Sequence, residues 1–194
     1  ASYGAPAYFS LGVEHILGGI DHLCFVLTLV LLVGFTARLA LAVTGFTLAH
    51  SITLGATALG LVSPWPSLIE ALVALSIAIV AAEVLRARRG ATSLTIRWPV
   101  IAAALFGLLH GFAFAGALAE IGLPKGETLL ALLLFNVGVE VGQLLFISII
   151  YLIYRIALSA WRAAVPAAAA ALPPYAIGTL AAFWFIERAT VLFG

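Results

Sequence analysis

The chain has 194 residues, of which 64% are hydrophobic and 9% are charged, and its formal net charge is +1. Its mean hydropathy of +1.23 excludes a soluble globular domain, in which about a quarter of the residues carry charge. The small net charge, and the absence of a basic run interleaved with aromatic residues, exclude nucleic acid as a partner. The composition therefore predicts an integral membrane protein whose partner is the lipid bilayer.

Apolar runs bounded by proline, glycine and charged residues predict an all-α fold. We expect one polytopic transmembrane helical bundle of about six membrane-spanning helices, because crossing about 30 Å of hydrocarbon takes about 20 residues. The bundle forms a single domain over residues 1–194, with helices over about 11–34, 39–61, 67–85, 98–119, 128–154 and 175–193. The alanine-rich stretch 163–172 fits an extension of a neighbouring helix, an interfacial segment or a loop.

Basic residues are concentrated in every second predicted loop. They are Arg38, Arg86, Arg88, Arg89, Arg97, Arg155 and Arg162, whereas the opposite loops hold only Lys125. Because cytoplasmic loops retain Lys and Arg, both termini are predicted on the extracytoplasmic side. Arg188 lies inside the last helix and does not fit this pattern, so we expect it to pair with an outer carboxylate such as Glu70 or Glu120.

The first predicted helix carries two histidines and two carboxylates on neighbouring faces. They are His15 and His22, and Glu14 and Asp21. On a straight helix the two imidazoles would lie about 10 Å apart, too far to bind one ion together. A break at Gly18 and Gly19 would bring them together and free main-chain carbonyls as ligands. The alternative is that these glycines only allow another helix to pack closely.

The second and fourth predicted helices each place one histidine near mid-membrane, His50 and His110. Hydroxyl groups surround His50 in sequence, and a hydroxyl can orient an imidazole in a metal site; they belong to Thr47, Ser51 and Thr53. His110 lies between Gly107 and Gly111, whose spacing lets another backbone approach. A single buried histidine is more often a packing residue than a ligand. Three helices that each contribute one favour a shared site.

The fifth predicted helix carries a polar face made of Asn136, Glu140 and Gln143, at positions i, i+4 and i+7. No Lys or Arg lies close in sequence, so this face must point to the bundle interior or to a wet cavity. Asn136 and Gln143 fit interhelical hydrogen bonding. An ionised, unpaired carboxylate is costly in hydrocarbon, so Glu140 is expected to be protonated, paired with a cationic histidine or bound to a cation.

Imidazole and carboxylate groups together suit a divalent transition metal ion such as nickel, cobalt or zinc. Oxygen ligands are too few for calcium or magnesium. The predicted metal ligands are His15, Asp21, His22, His50, His110 and Glu140. The predicted supporting polar groups are Glu14, Ser51, Asn136 and Gln143.

Several segments, in the same order, resemble the HupE/UreJ membrane proteins, particularly the branch with a separate amino-terminal extracytoplasmic domain. They are residues 12–22, 46–54, Glu70 with 74–77, 106–114, 122–124 and 135–143. The resemblance implies a bacterial inner-membrane protein associated with nickel or cobalt uptake. It places the polar motifs of the family on His15, Asp21, His22, His50, His110, Asn136 and Glu140. We also expect that a signal peptide or amino-terminal domain has been removed before residue 1.

Three functions are open at this point, and a transporter is preferred to an enzyme. In a metal permease, ions pass the first helix, bind at a midplane site of His50, His110 and Glu140, and leave toward the cytoplasm. In an intramembrane zinc-dependent hydrolase, His22, His50 and His110 hold the metal while Asp21 or Glu140 activates water. The third function is a membrane anchor or assembly partner without metal. A homo-oligomer is compatible with each.

Overall fold

The computed structural model describes residues 5–121, 127–160 and 167–192, and within these ranges it contains helices and no strand. The helices are α1 (Ala5–Gly18), α2 (Ile20–Val33), α3 (Ala37–Ala58), α4 (Pro66–Arg88), α5 (Leu94–Arg97), α6 (Pro99–Ile121), α7 (Thr128–Ala160) and α8 (Ala167–Thr190). Four of them, α3, α4, α7 and α8, are long and apolar enough to span a membrane. The predicted all-α membrane bundle is therefore confirmed.

The number of spans is the first difference from the prediction of about six. The helices α1 and α2 together make a fifth candidate span, but only if the bent pair is counted as one. The described apolar part of α6, Pro99–Phe114, is shorter than a full span. By length and apolarity, the described residues thus contain four to five spans.

The helix predicted over 11–34 is two helices that meet at Gly19 with a bend of 71°. Gly19 has an extended backbone, with φ −86° and ψ 99°, and precedes the first residue of α2. A methyl group on Gly19 would lie 2.6 Å from Nδ1 of His22 and 2.8 Å from the carbonyl oxygen of His15. A methyl group on Gly18 would meet no atom within 4 Å. These glycines therefore do not pack against another helix, and Gly19 makes room for an imidazole at the break.

Further helix boundaries differ from the prediction by up to eight residues, and the first helix begins at Ala5, not at 11. The last helix begins at Ala167, not at 175, and contains Pro173 and Pro174 in its interior. A proline pair suggests a helix boundary because proline has no N–H group for the helical hydrogen bond. Part of the alanine-rich stretch therefore extends α8, and residues 163–166 lie outside the described ranges. The fifth predicted helix continues to Ala160, six residues beyond its predicted end.

The short helix α2 is the central element, because it contacts α1, α3, α4, α7 and α8. The most extensive pairings join α3 to α6, α4 to α8 and α1 to α7. The first of these pairings depends on Gly107 and Gly111, where added methyl groups would overlap the main chain of Phe46 and His50. The predicted close approach of a second backbone to this part of α6 is confirmed.

Buried apolar side chains form two clusters. The first joins α2, α3, α4, α6 and α8 and contains Phe25 and Phe46, and the second joins α1, α3 and α7 and contains Phe135. The ring centroid of His110 lies 5.1 Å from those of Phe25 and Phe46, whereas that of His15 lies 5.5 Å from that of Phe135. The histidines therefore occupy the boundary between the two apolar clusters.

Basic residues gather at one end of the bundle. One cavity is lined by both Arg38 and Ile96, so the loop before α3 lies beside the connection from α4 to α6. The guanidinium group of Arg89 donates a hydrogen bond of 3.2 Å to the hydroxyl of Tyr175, which brings the first half of α8 to the same end. Arg188 lies in the last turn of α8. It is therefore remote from the other described basic residues.

Candidate metal site

Three helices bring imidazoles to one point inside the bundle. His15 of α1, His22 of α2 and His50 of α3 each offer a nitrogen, and these nitrogens lie within 4.8 Å of one another. The ring centroids of His15 and His22 are 4.4 Å apart, although two turns of straight helix would separate them by about 10 Å. The break at Gly19 therefore brings together two imidazoles that a straight helix would keep apart. We refer to these three side chains as the imidazole group.

Asn136 orients the ring of His50. Its Nδ2 donates to the carbonyl oxygen of Leu132 at 2.8 Å, and its Oδ1 lies 3.4 Å from Nδ1 of His50. Because an amide oxygen can only accept, Nδ1 of His50 carries the proton of this hydrogen bond. In the neutral ring with its one N–H at Nδ1, Nε2 keeps a free lone pair for a metal ion.

Ser76 does the same for His110, the fourth histidine. The hydroxyl of Ser76 donates to the carbonyl oxygen of Val73 at 2.6 Å and lies 3.2 Å from Nε2 of His110. A hydroxyl has one proton, so Ser76 accepts from Nε2 and leaves Nδ1 of His110 with its lone pair. The ring centroid of His110 is 5.3 Å from that of His22. His110 thus adjoins the imidazole group without belonging to it.

Buried imidazole nitrogens without a hydrogen-bond partner are concentrated here. They are Nε2 of His15, both ring nitrogens of His22, Nε2 of His50 and Nδ1 of His110. An unsatisfied buried polar atom costs about 1–3 kcal/mol, so a cluster of them requires a physical explanation. Metal coordination supplies one, because it uses the lone pairs of several imidazoles at once. Ligand nitrogens around a tetrahedral zinc ion lie about 3.4 Å apart, so the imidazole group would contract slightly on binding.

The carboxylate of Asp21 points to α8. Its Oδ2 lies 2.8 Å from Nη1 of Arg188, and the same nitrogen donates to the main-chain oxygen of Glu70 at 3.2 Å. The expectation that Arg188 pairs with the carboxylate of Glu70 was therefore wrong, since only the carbonyl of Glu70 is contacted. The other expected partner, Glu120, has a side chain outside the described residues. Asp21 forms an ion pair and is not part of the imidazole group.

Glu140 lies in a separate groove of about 470 Å³ between α3 and α7. The polar residues that line this groove are Thr44, Thr47, Ser51, Asn136 and Glu140, and the remaining lining is mainly leucine and valine. One carboxylate oxygen of Glu140 accepts a 2.6 Å hydrogen bond from the hydroxyl of Thr44, and the other has no partner. Of the predicted ligands, Asp21, His110 and Glu140 thus lie outside the group of three imidazoles.

The predicted polar face of α7 contacts α3 through all three of its side chains. Asn136 reaches His50, Glu140 reaches Thr44, and Gln143 accepts a 2.9 Å hydrogen bond from Thr47. The i, i+4, i+7 spacing therefore predicted a common face correctly. Only its first member touches the imidazole group.

The other predicted supporting residues have local roles. The hydroxyl of Ser51 donates to the carbonyl of Thr47 at 2.6 Å, and that of Thr53 donates to the carbonyl of His50 at 3.2 Å. Both hydroxyls bond to their own helix, so the orientation of the His50 ring comes from Asn136. Glu14 is on the exposed side of α1.

Sequence reasoning missed two residues that contact predicted ligands, Ser76 beside His110 and Thr44 beside Glu140. Ser76 is buried between apolar residues of α4, and its signal in the sequence was a lone hydroxyl in an otherwise apolar segment. Thr44 lies one turn before Thr47 on α3, and the threonine spacing on one helix face was its signal. In both cases the partner is on another helix, so the residue's role became visible only in three dimensions.

Comparison with known families agrees with the helical architecture. The family model described as HupE / UreJ protein matches residues 2–188, almost the whole chain. No curated protein and no solved structure matches the chain. The HupE/UreJ family is associated with nickel and cobalt transport, and the apolar helices described above agree with a membrane location. The chain therefore belongs to the HupE/UreJ family.

Proposed function

We propose that the protein is a membrane permease for a divalent transition metal ion, with nickel or cobalt as the preferred cargo and zinc as a further one. The observation that carries this proposal is the convergence of His15, His22 and His50 from three helices, with nitrogens within 4.8 Å of one another. Each of these imidazoles keeps at least one buried nitrogen without a hydrogen-bond partner. A site of this kind inside an apolar bundle binds a cation that imidazole nitrogen prefers.

The donor set supports this choice of cargo. Neutral imidazole suits nickel, cobalt and zinc, whereas magnesium and calcium require several oxygen ligands. Of the two carboxylates adjacent to these histidines in sequence, Glu14 is on the exposed side of α1 and Asp21 is paired with Arg188. Glu140 is bonded to Thr44. The imidazole group therefore offers nitrogen ligands without a carboxylate that is free to join them.

The proposed route runs from the end of the bundle that holds Arg188 to the end that holds the loop arginines. Since cytoplasmic loops retain basic residues, we assign the arginine-rich end to the cytoplasm and both termini to the outer side of a bacterial inner membrane. His50 then lies about 20 Å from the cytoplasmic start of α3, and Thr44 lies about 10 Å from it. Ions enter beside Asp21, bind to the imidazole group and leave past Thr44 and Glu140.

Uptake by proteoliposomes tests the proposal. We expect the purified wild-type chain to accumulate ⁶³Ni or ⁶⁵Zn, and the His22→Ala/His50→Ala variant to fall to the level of protein-free vesicles, because two of three ligands are removed. Gel filtration and circular dichroism establish that the variant is folded. Equal flux through the wild type and the double variant would remove the imidazole group from the pathway.

The groove between α3 and α7 favours testing a second candidate, an intramembrane zinc-dependent hydrolase. The groove is open at the surface of the bundle, and Asn136, which lines it, also contacts His50. Catalytic zinc has three protein ligands and one open position, which three imidazoles would satisfy.

A hydrolase would copurify with about one tightly held zinc ion per chain. A permease would exchange its ion readily, so elemental analysis before and after dialysis against a chelator separates the two. A protein that never binds metal would instead be the anchor or assembly partner.

A further inference from the structure

The ion pair of Asp21 and Arg188 joins the first turn of α2 to the last turn of α8. The Nη1 of Arg188 lies 2.8 Å from Oδ2 of Asp21, and both side chains are about three-quarters buried, with exposed fractions of 25% and 23%. A second hydrogen bond to the carbonyl oxygen of Glu70 and a position 5.8 Å from the ring centroid of Trp184 further fix the guanidinium group. The Asp21 carboxylate, the Glu70 carbonyl and the Trp184 ring therefore hold the guanidinium group in one orientation.

This ion pair adjoins the imidazole group. Asp21 directly precedes His22 on α2, and its carboxylate interacts electrostatically with the imidazole of His22. The guanidinium group of Arg188 interacts with His110 with the opposite sign. Each charge of the pair therefore acts on a histidine at the centre of the bundle.

A carboxylate beside three imidazoles determines which ions a site prefers. Carboxylate oxygen is a hard ligand that suits manganese and magnesium, whereas imidazole suits nickel, cobalt and zinc. An Asp21 that was free to turn toward His22 would add both an oxygen ligand and a negative charge. The site would then bind every divalent ion more tightly and would discriminate less against the hard ones.

We propose that Arg188 is a specificity-determining residue, which holds the Asp21 carboxylate away from the imidazole group and so keeps the site selective for nickel or cobalt over manganese. This inference rests on the proposed function, because it assumes that the imidazole group binds the cargo. The bond to the Glu70 carbonyl is part of the device, since it fixes the guanidinium group where it draws the carboxylate toward α8. Arg188 itself acts through Asp21 and does not bind the ion.

A purely structural role is the competing explanation. An ion pair between α2 and α8 also ties the last helix to the centre of the bundle. In that case the loss of Arg188 would lower the thermal stability of the protein without changing the relative affinity for two metal ions. The ratio of two affinities in one variant is therefore the informative quantity, because a general loss of stability cancels in it.

The test is equilibrium dialysis of the purified full chain against ⁶³Ni²⁺ and ⁵⁴Mn²⁺. We expect Arg188→Gln to raise the affinity for manganese relative to nickel by about tenfold or more, since it frees one carboxylate ligand. The Asp21→Asn/Arg188→Gln variant should return to the wild-type ratio, because the freed carboxylate is gone. The matched control is Arg86→Gln, which removes the arginine of the other described ion pair, with Glu83, and should leave the ratio unchanged.

Each outcome decides between the explanations. An unchanged manganese-to-nickel ratio in folded Arg188→Gln overturns the inference, while nickel binding that depends on His22 and His50 leaves the proposed function standing. A wild-type chain that binds no nickel contradicts the proposed function itself. If Arg188→Gln does not fold, Arg188→Leu offers an apolar side chain for the same measurement. Asp21→Asn adds an independent arm: it should keep the wild-type ratio, and a fall in relative manganese affinity would mean that Asp21 binds metal even when Arg188 is present.

Discussion

The imidazole group and the groove between α3 and α7 both bring polar side chains into an apolar bundle, but they treat their polar atoms differently. In the groove these atoms largely satisfy one another, as Thr44 does for one carboxylate oxygen of Glu140. In the imidazole group, Asn136 bonds only to Nδ1 of His50. Nitrogens without a hydrogen-bond partner are Nε2 of His50, Nε2 of His15 and both ring nitrogens of His22. The region that still needs a ligand is thus the imidazole group, although the sequence contains comparable polar patterns in both.

The two regions also differ in how the backbone assembles them. The groove uses a straight helix, on which Asn136, Glu140 and Gln143 share one face at ordinary helical spacing. The imidazole group uses a broken one, because His15 and His22 meet only through the 71° bend at Gly19. Interruptions in membrane helices recur at ion sites for this reason. The break, more than the residue types, distinguishes the candidate site from an interhelical contact.

A substitution of Gly19 should have the largest effect on nickel affinity, because it acts at the break that assembles the imidazole group. In Gly19→Ala the new methyl group would lie 2.6 Å from Nδ1 of His22, so the ring must leave its position or the bend must change. We expect nickel affinity to fall by about 100-fold or more, because a ligand is displaced and not merely reoriented. Isothermal titration of the detergent-solubilised protein with nickel measures the change.

Gly18→Ala is the matched control for that experiment. A methyl group on Gly18 meets no atom within 4 Å, so the same substitution one residue earlier should leave nickel affinity within about twofold of the wild type. Equal losses in the two variants would mean that helix flexibility in general, and not the room beside His22, governs binding.

Asn136→Ala should have an intermediate effect, because it removes the oxygen that fixes the N–H of His50. Loss of a residue that orients a metal-binding histidine costs about 10–100-fold in affinity, and we expect about tenfold here because the hydrogen bond is 3.4 Å long. Gln143→Ala is the comparison on the same helix face, since Gln143 bonds to Thr47 and not to a histidine. If both variants lose affinity equally, the role of Asn136 is to hold α7 against α3.

Glu140→Gln should have the smallest effect on equilibrium binding. Its carboxylate accepts a hydrogen bond from Thr44 in the groove, so removing the charge should change nickel affinity by no more than about twofold. The same titration measures the change in nickel affinity. His50→Ala, measured in parallel, shows how large the loss of affinity is when a ligand is removed. A loss as large as that of His50→Ala would return Glu140 to the ligand set and would merge the groove and the imidazole group into one site.

Composition and periodicity were sufficient to predict an all-α membrane bundle, but not the number of its spans. Long apolar runs predicted the helical bundle, the Gly107 and Gly111 spacing predicted the close approach of another backbone to α6, and helical spacing predicted the shared face on α7. These features depend on local patterns with one geometric outcome. The start of α8 was predicted too late, because Pro173 and Pro174 favour a boundary locally but lie inside the helix.

The details of the site depended on contacts between helices that are distant in sequence. A Gly-Gly pair is compatible with a break or with close packing, and only the position of His22 against Gly19 decides between them. The partner of Arg188 was expected at the nearest outer carboxylates, but Asp21, 167 residues away in sequence, forms the pair. The role of Ser76 likewise required the position of α6 beside α4. The sequence alone identified the histidines as candidate ligands, whereas their hydrogen-bond partners became evident only from the packing of the helices.

The single extended residue between α1 and α2 makes the spacing of His15 and His22 a function of one angle. If α1 swings as a rigid rod until the two helices are collinear, the rings separate toward about 10 Å while every side chain keeps its rotamer. In the proposed permease, opening this joint would release a shared ion, and the packing of α1 on α7 would oppose the opening.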